Sequence, residues 1–132
     1  MLVTENIFSH TPSAPGVEEF ATLAKFAGVR IERILSTGQA SPEGFWYDQS
    51  WTEWVMLLAG SAGLRIEGEA APRVLRAGDY LEIPPHVRHR VDWTDAAAPT
   101  IWLAVHGDRE SGRSEFGDPE IGESERRTAK KD

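Results

Sequence analysis

Between Val29 and His106 the chain alternates apolar and polar side chains in short segments separated by glycine or proline turns. A period of two is what a half-buried extended strand requires. Val29, Ile31, Arg33 and Leu35 alternate with Arg30, Glu32, Ile34 and Ser36, and Gly38 ends the run. From Glu53 to Ala59 both faces are apolar: Val55 and Leu57 share the face of Glu53, while Trp54, Met56 and Leu58 occupy the other. Such a strand is covered on both sides, by a neighbouring sheet or by a partner subunit. Gly60-Ser61 makes a tight turn, and Ala62, Leu64 and Ile66 then alternate with polar neighbours, which predicts a hairpin. Further short strands are expected at Val74-Leu75, Tyr80–Ile83, His89–Trp93 and Thr100–His106. Their number and spacing predict an all-β barrel or sandwich of jelly-roll order over residues 29–106, with Val55, Leu57, Leu64 and Ile66 buried.

Residues 1–28 form an N-terminal segment. Within it Val17, Phe20 and Ala24 fall on one stripe at helical spacing after Pro15-Gly16, predicting a short helix over 17–26 packed on the barrel. Residues 107–132 carry 14 charged side chains in 26 positions, with Phe116, Ile121 and Ala129 the apolar ones. So little apolar surface cannot offset the entropy of ordering, and a disordered tail is expected.

The absence of cysteine excludes disulfides, thiolate catalysis and thiolate metal sites. A formal charge of -7, with the basic cluster Arg126-Arg127 and Lys130-Lys131 confined to the tail, argues against nucleic acid and anionic lipid as partners. No apolar run approaches the roughly 20 residues of a membrane span, and the first residues lack a basic-then-apolar secretory signal. A cytoplasmic protein is the plain expectation.

The segment with most chemical content is Gly78-Asp79-Tyr80-Leu81-Glu82-Ile83-Pro84-Pro85-His86-Val87-Arg88-His89. A glycine turn, a short strand and a proline-stiffened corner would place the following histidine at the mouth of a barrel. This pattern resembles the second motif of the cupin superfamily, and Glu53 and Gly60 match the E-x6-G half of the first. The two histidines that precede that glutamate in the family are replaced here by Tyr47 and Gln49. The resemblance covers roughly Val29 to His106. It implies a small single-domain cupin with a double-stranded β-helix, its metal ligands drawn from Gln49, Glu53 and His89. It also implies a divalent ion such as Fe, Mn, Ni or Zn, and Glu53 as the group that moves a proton.

Strand parity supports the same grouping. Tyr47, Gln49, Trp51 and Glu53 point to one side of an extended chain, so Gln49 and Glu53 can converge. Two accounts stand side by side: a three-ligand metal site, or a hydrogen-bonded polar cluster around water or an organic ligand. Tyr47, Trp51 and Trp93 are the expected ligand-binding aromatics, suited to a small planar or apolar molecule. His86 reads as a solvent-facing turn residue, His106 as a strand end facing water and Arg33 as a solvated edge, while His10 carries no signal. The function expected is binding of a metal or small organic ligand in the barrel, with a metal-dependent dioxygenase or isomerase as the alternative. The apolar face of Trp54, Met56 and Leu58 predicts a homodimer.

Overall fold

A computed structural model describes residues 1–9 and 16–108. The described chain holds eight strands: β1 Glu19–Phe26, β2 Val29–Ser36, β3 Thr52–Ala59, β4 Ser61–Ile66, β5 Arg73–Arg76, β6 Tyr80–Ile83, β7 His89–Thr94 and β8 Thr100–Gly107. They form a five-stranded sheet in the order β1-β2-β8-β3-β6 and a three-stranded sheet in the order β5-β4-β7, with every pairing antiparallel. The expected jelly-roll barrel is present. The charged-tail expectation falls almost wholly on residues 109–132, which lie outside the described residues, as does His10. Among the described residues no helix is long and apolar enough to cross a membrane.

The helix expected over 17–26 is a strand instead. β1 pairs with β2 from Glu19↔Leu35 to Phe26↔Val29, across a turn in which Ala27 and Gly28 both have positive φ. A register shift between Thr22 and Ala24 leaves Leu23 as an extra residue. That bulge breaks the period of two, which is why the apolar positions fell on a helical spacing. Val17, Phe20 and Leu23 remain exposed, so a helical stripe would have had nothing to bury them. Pairing β1 also satisfies the edge of β2, whose backbone groups would otherwise face solvent along eight residues.

The core lies between the sheets. Ile34, Val55, Leu57, Ala62, Leu64, Leu75, Ile83, Trp102 and Ala104 pack together, with Ile66 half-buried against them. In β3 burial alternates residue by residue, with Glu53, Val55 and Leu57 inside and Trp54, Met56 and Leu58 half-buried outside. The hairpin expected at Gly60-Ser61 does not form, because both edges of β3 are taken by β8 and β6. The chain turns a corner there and starts the second sheet.

Gly60 makes that corner possible. Its φ is +86°, and a Cβ on it would stand 2.3 Å from Thr100 Oγ1, 2.6 Å from Thr100 Cα and 2.7 Å from the Pro99 carbonyl oxygen. Two of those three atoms are backbone and cannot swing aside. Gly78 has φ +98° but open space around it. Gly60→Ala is therefore expected to cost about 3 kcal/mol or more, against about 1 kcal/mol for Gly78→Ala, where only the left-handed backbone penalty applies. Thermal melts should separate them, with Tm falling by about 5 °C for Gly78→Ala and by about 15 °C for Gly60→Ala. Equal losses would show that the close approach of Thr100 and Pro99 is not what requires the glycine.

Candidate functional site

The site is assembled by a loop laid along a strand. Residues 39–49 run beside β7: Ser41 N donates to the Val91 carbonyl, Tyr47 and His89 exchange backbone hydrogen bonds at 2.7 and 3.2 Å, and His86 N donates to the Gln49 carbonyl at 2.7 Å. Arg90 ties the loop down. Its Nη1 reaches the carbonyls of Pro42 and Phe45 at 3.1 and 3.3 Å, and its Nη2 reaches that of Ser41 at 3.1 Å. Its Nε donates to Asp92, which also accepts from Arg65. Burial pushes the Asp92 carboxyl up, but the bonds from Arg65 and Arg90 more than offset it and hold the group below its ordinary value.

With the loop in place, Gln49 and Glu53 converge: Gln49 Nε2 donates to Glu53 Oε1 at 2.9 Å, both residues being buried. His89 comes from the first position of β7, with Nε2 3.6 Å from the same carboxylate oxygen. Its Nδ1 lies 2.9 Å from the Val87 carbonyl oxygen. A carbonyl only accepts, so Nδ1 carries a proton, and Nε2 is the nitrogen turned toward Glu53. The Tyr47 ring covers the imidazole at 5.4 Å between centroids. Tyr47, Glu53 and His89 line a cavity of about 30 Å³ whose other walls include Ile34, Val55, Ile83 and Trp102. That is room for one or two waters.

Two strong donors face one another here. Ligands about 2.1 Å from one ion stand roughly 3.4 Å apart in a tetrahedral arrangement, so the 3.6 Å between His89 Nε2 and Glu53 Oε1 suits a shared divalent ion. The third expected ligand is oriented differently. Gln49 turns its amide nitrogen to Glu53, and its Oε1 is buried without a hydrogen-bond partner. Among the described residues no group of three or more His, Cys, Asp or Glu side chains surrounds a common point. The residues fit a weakly held ion bound through His89 and Glu53, with the orphaned amide oxygen of Gln49 as the spare acceptor.

The two tryptophans expected in the barrel lie elsewhere. The bend at Ser50-Trp51 breaks strand parity, and Trp51 is buried away from this cavity, donating from Nε1 to His106 Nδ1 at 2.8 Å. Trp93 lies opposite Gly63 across a register shift that leaves Asp92 unpaired. The shift turns Trp93 to the outer face, where it is 38% exposed and its indole occupies the space a Gly63 Cβ would need. His86 is exposed, as expected of a turn residue, and pairs with Asp48 at 2.8 Å.

His106 does not face water: it is fully buried, with Nε2 3.0 Å from Glu32 Oε1. Since the indole of Trp51 donates to Nδ1, the proton sits on Nε2. Parity with Trp102 and Ala104 was the signal for its inward position. Glu18 and Phe20 also line the cavity; the helical spacing that the bulge at Leu23 gives their segment hides this in the sequence.

Arg90→Ala should release the loop without touching His89 or Glu53. We expect amide exchange at Tyr47 and His86 to accelerate and stability to fall by about 2 kcal/mol, the scale of a few lost charge-assisted bonds. Asp92 acts in the same direction. Because its folded pKa is depressed, its contribution is present above about pH 4 and is lost as pH falls through the folded value, so loop exchange should rise on acidification. Unchanged exchange in Arg90→Ala would place the loop's anchor elsewhere.

No functionally curated protein sequence matches the chain significantly. The Cupin domain profile matches residues 34–106. A Ralstonia eutropha protein provisionally assigned as a mannose-6-phosphate isomerase is 53% identical, with a TM-score of 0.78, over 82% of this chain and all of that one. A Desulfitobacterium hafniense cupin superfamily protein is 15% identical (TM-score 0.60; 74% of this chain, 83% of that one). An RmlC-like cupin from Methanocaldococcus jannaschii with a double-stranded β-helix is 16% identical (TM-score 0.58; 80% and 92%). The profile spans more than half of the chain, from the inner strand β2 to buried His106 and across both Glu53 and His89, and on that ground the chain belongs to the cupin domain family.

Proposed function

We propose that this cupin binds a divalent metal ion and a small oxygen-bearing organic ligand at the His89–Glu53 pair. The observation that carries the reading is the 3.6 Å approach of His89 Nε2 to the Glu53 carboxylate beside a largely apolar-walled cavity. A bound ion would supply Lewis-acid polarisation of a ligand oxygen. The chain's own part is then definite. His89 and Glu53 would hold the ion, Gln49 fixes the carboxylate by donating to Oε1, and Glu53 is the group that would take or return a proton. The largely apolar walls lower the local dielectric and strengthen each of these interactions.

A second reading, isomerase chemistry on a sugar phosphate, draws on the assignment of the Ralstonia relative. The cavity weighs against it. At about 30 Å³ it admits a hexose, or any organic ligand of more than a few atoms, only if lining side chains such as Phe20 and Glu18 move, and a hexose's hydroxyls would then meet Ile34, Val55 and Trp102. Titrations with Mn, Fe, Ni and Zn should show His89→Ala and Glu53→Gln each losing more than the roughly 10–100-fold that loss of an outer partner costs, with His86→Ala unchanged. Equal binding by wild type and His89→Ala would overturn the metal site. Interconversion of mannose 6-phosphate and fructose 6-phosphate that disappears in Glu53→Gln would establish the second reading instead.

We also propose that the chain is a homodimer through the outer face of the five-stranded sheet. Half-buried Trp54, Met56 and Leu58 support this, with exposed Tyr80 lying 5.2 Å from the Trp54 ring. Trp54→Glu should sediment as a monomer at micromolar concentration where wild type is a dimer. A monomeric wild type would overturn the proposal.

A further inference from the structure

A second carboxylate stands beside the His89–Glu53 cavity. Glu18, one residue before β1, lines that cavity and also a cleft of about 80 Å³ walled by Ser41, Pro42, Phe45, Tyr47 and Val91. Glu18, Tyr47 and Val91 belong to both walls, so the two spaces adjoin. The cleft is open to solvent: Pro42 is exposed, and Glu18, Ser41, Phe45, Tyr47 and Val91 are half-buried. Glu18 is held from behind. Trp102 Nε1 donates to Ser36 Oγ at 3.1 Å, and Ser36 Oγ lies 2.6 Å from Glu18 Oε2. An indole N–H only donates, so the serine oxygen accepts from it and the serine proton goes to Glu18. Ser36 is fully buried, and this relay fixes the carboxylate without a cation beside it. Among the described residues neither space has a Lys or Arg in its walls. Arg90 leaves β7 on the face opposite His89 and Val91, with its donors on loop carbonyls and Asp92.

We propose that the ligand of this site is a small amine that also bears an oxygen, its ammonium group held by Glu18 beside Phe45 and Tyr47. The proposal rests on the His89–Glu53 pair being the end that takes the oxygen. A carboxylate fixed by neutral donors lacks a counter-charge, and an ammonium supplies both the charge and N–H donors. The aromatic rings add to this, because their faces attract a cation. A phosphate ester would instead meet the negative charge of Glu18 on its way to Glu53. The formal charge of -7 on the chain favours the approach of a cation and slows that of an anion.

The ammonium end is tested alone, in metal-free protein at neutral pH. Ethanolamine titrated into isotope-labelled protein should shift the Trp102 indole N–H resonance, since that group is linked to Glu18 through Ser36. Ethylene glycol, similar in size and uncharged, should bind about 10-fold more weakly or worse, the scale of a charge-assisted hydrogen bond. Glu18→Gln keeps an acceptor for Ser36 and removes the charge, so it should fold as wild type does and bind the amine and the glycol equally. His89→Ala should keep the preference for the amine. No such preference in wild type, or the same preference in Glu18→Gln, would overturn the proposal. Loss of the preference in Glu53→Gln but not in Glu18→Gln would place the ammonium at Glu53 and overturn it too. The oxygen end is tested with Mn bound, where ethanolamine should bind more tightly than ethylamine. Equal affinity there would overturn the oxygen's assignment. Absence of metal binding with the amine preference intact would overturn the metal reading and leave Glu18 as an ammonium site.

Discussion

The site depends on one guanidinium. Arg90 stands beside His89 in β7 and spends its donors on three carbonyls of the 41–45 loop and on Asp92. A loop that runs over a sheet edge leaves backbone carbonyls that must find donors, and a planar fork of five N–H groups meets several at once. Tyr47 and Gln49 follow directly in the chain, so the same anchor sets the ring over His89 and the amide against Glu53. Trp46 packs its ring near both Arg88 and Arg90, which limits the freedom of those side chains further.

Above that anchor, the barrel interior is divided by chemistry. Leu57, Trp102 and Ile34 align across β3, β8 and β2 as apolar neighbours, while toward the other end Glu53, His106 and Arg30 align in the same register. A polar row inside a core survives only where its members satisfy one another. His106 does so with Trp51 on one nitrogen and Glu32 on the other, which fixes it as a neutral structural group. His89 has a carbonyl on one nitrogen and leaves the other pointing at a carboxylate. Two buried histidines thus have contrasting capacities, decided by what each nitrogen meets. Only His89 turns a ring nitrogen toward a carboxylate beside a cavity.

Much of the fold was legible because strand alternation is a local signal. β2, β3, β6 and β8 appear within a residue or two of where the period places them, and Glu53 shares its face with Val55 and Leu57 as parity requires. The glycine-to-histidine segment likewise put His89 at the start of a strand. Parity failed where the backbone inserts an extra residue. The bulge at Leu23 disguised β1 as a helix, and the unpaired Asp92 turned Trp93 outward.

What the sequence by itself determined is the extended segments from β2 onward and their inward faces where no bulge or bend intervenes, together with the convergence of Gln49 and Glu53, which follow from a two-residue period and a short spacing; His89 joined them through the motif it shares with the cupin family. What only the tertiary structure decided is the orientation of the groups: which end of the Gln49 amide meets Glu53, what each ring nitrogen of His89 and His106 faces, and which Arg30 nitrogens are buried without a hydrogen-bond partner. The physical reason is that period and parity fix the side from which a residue leaves the backbone. The donors and acceptors each group meets depend on the folded backbone, locally for His89 and Val87, and for His106 on Trp51 and Glu32, which are distant in sequence and brought within about 3 Å by folding.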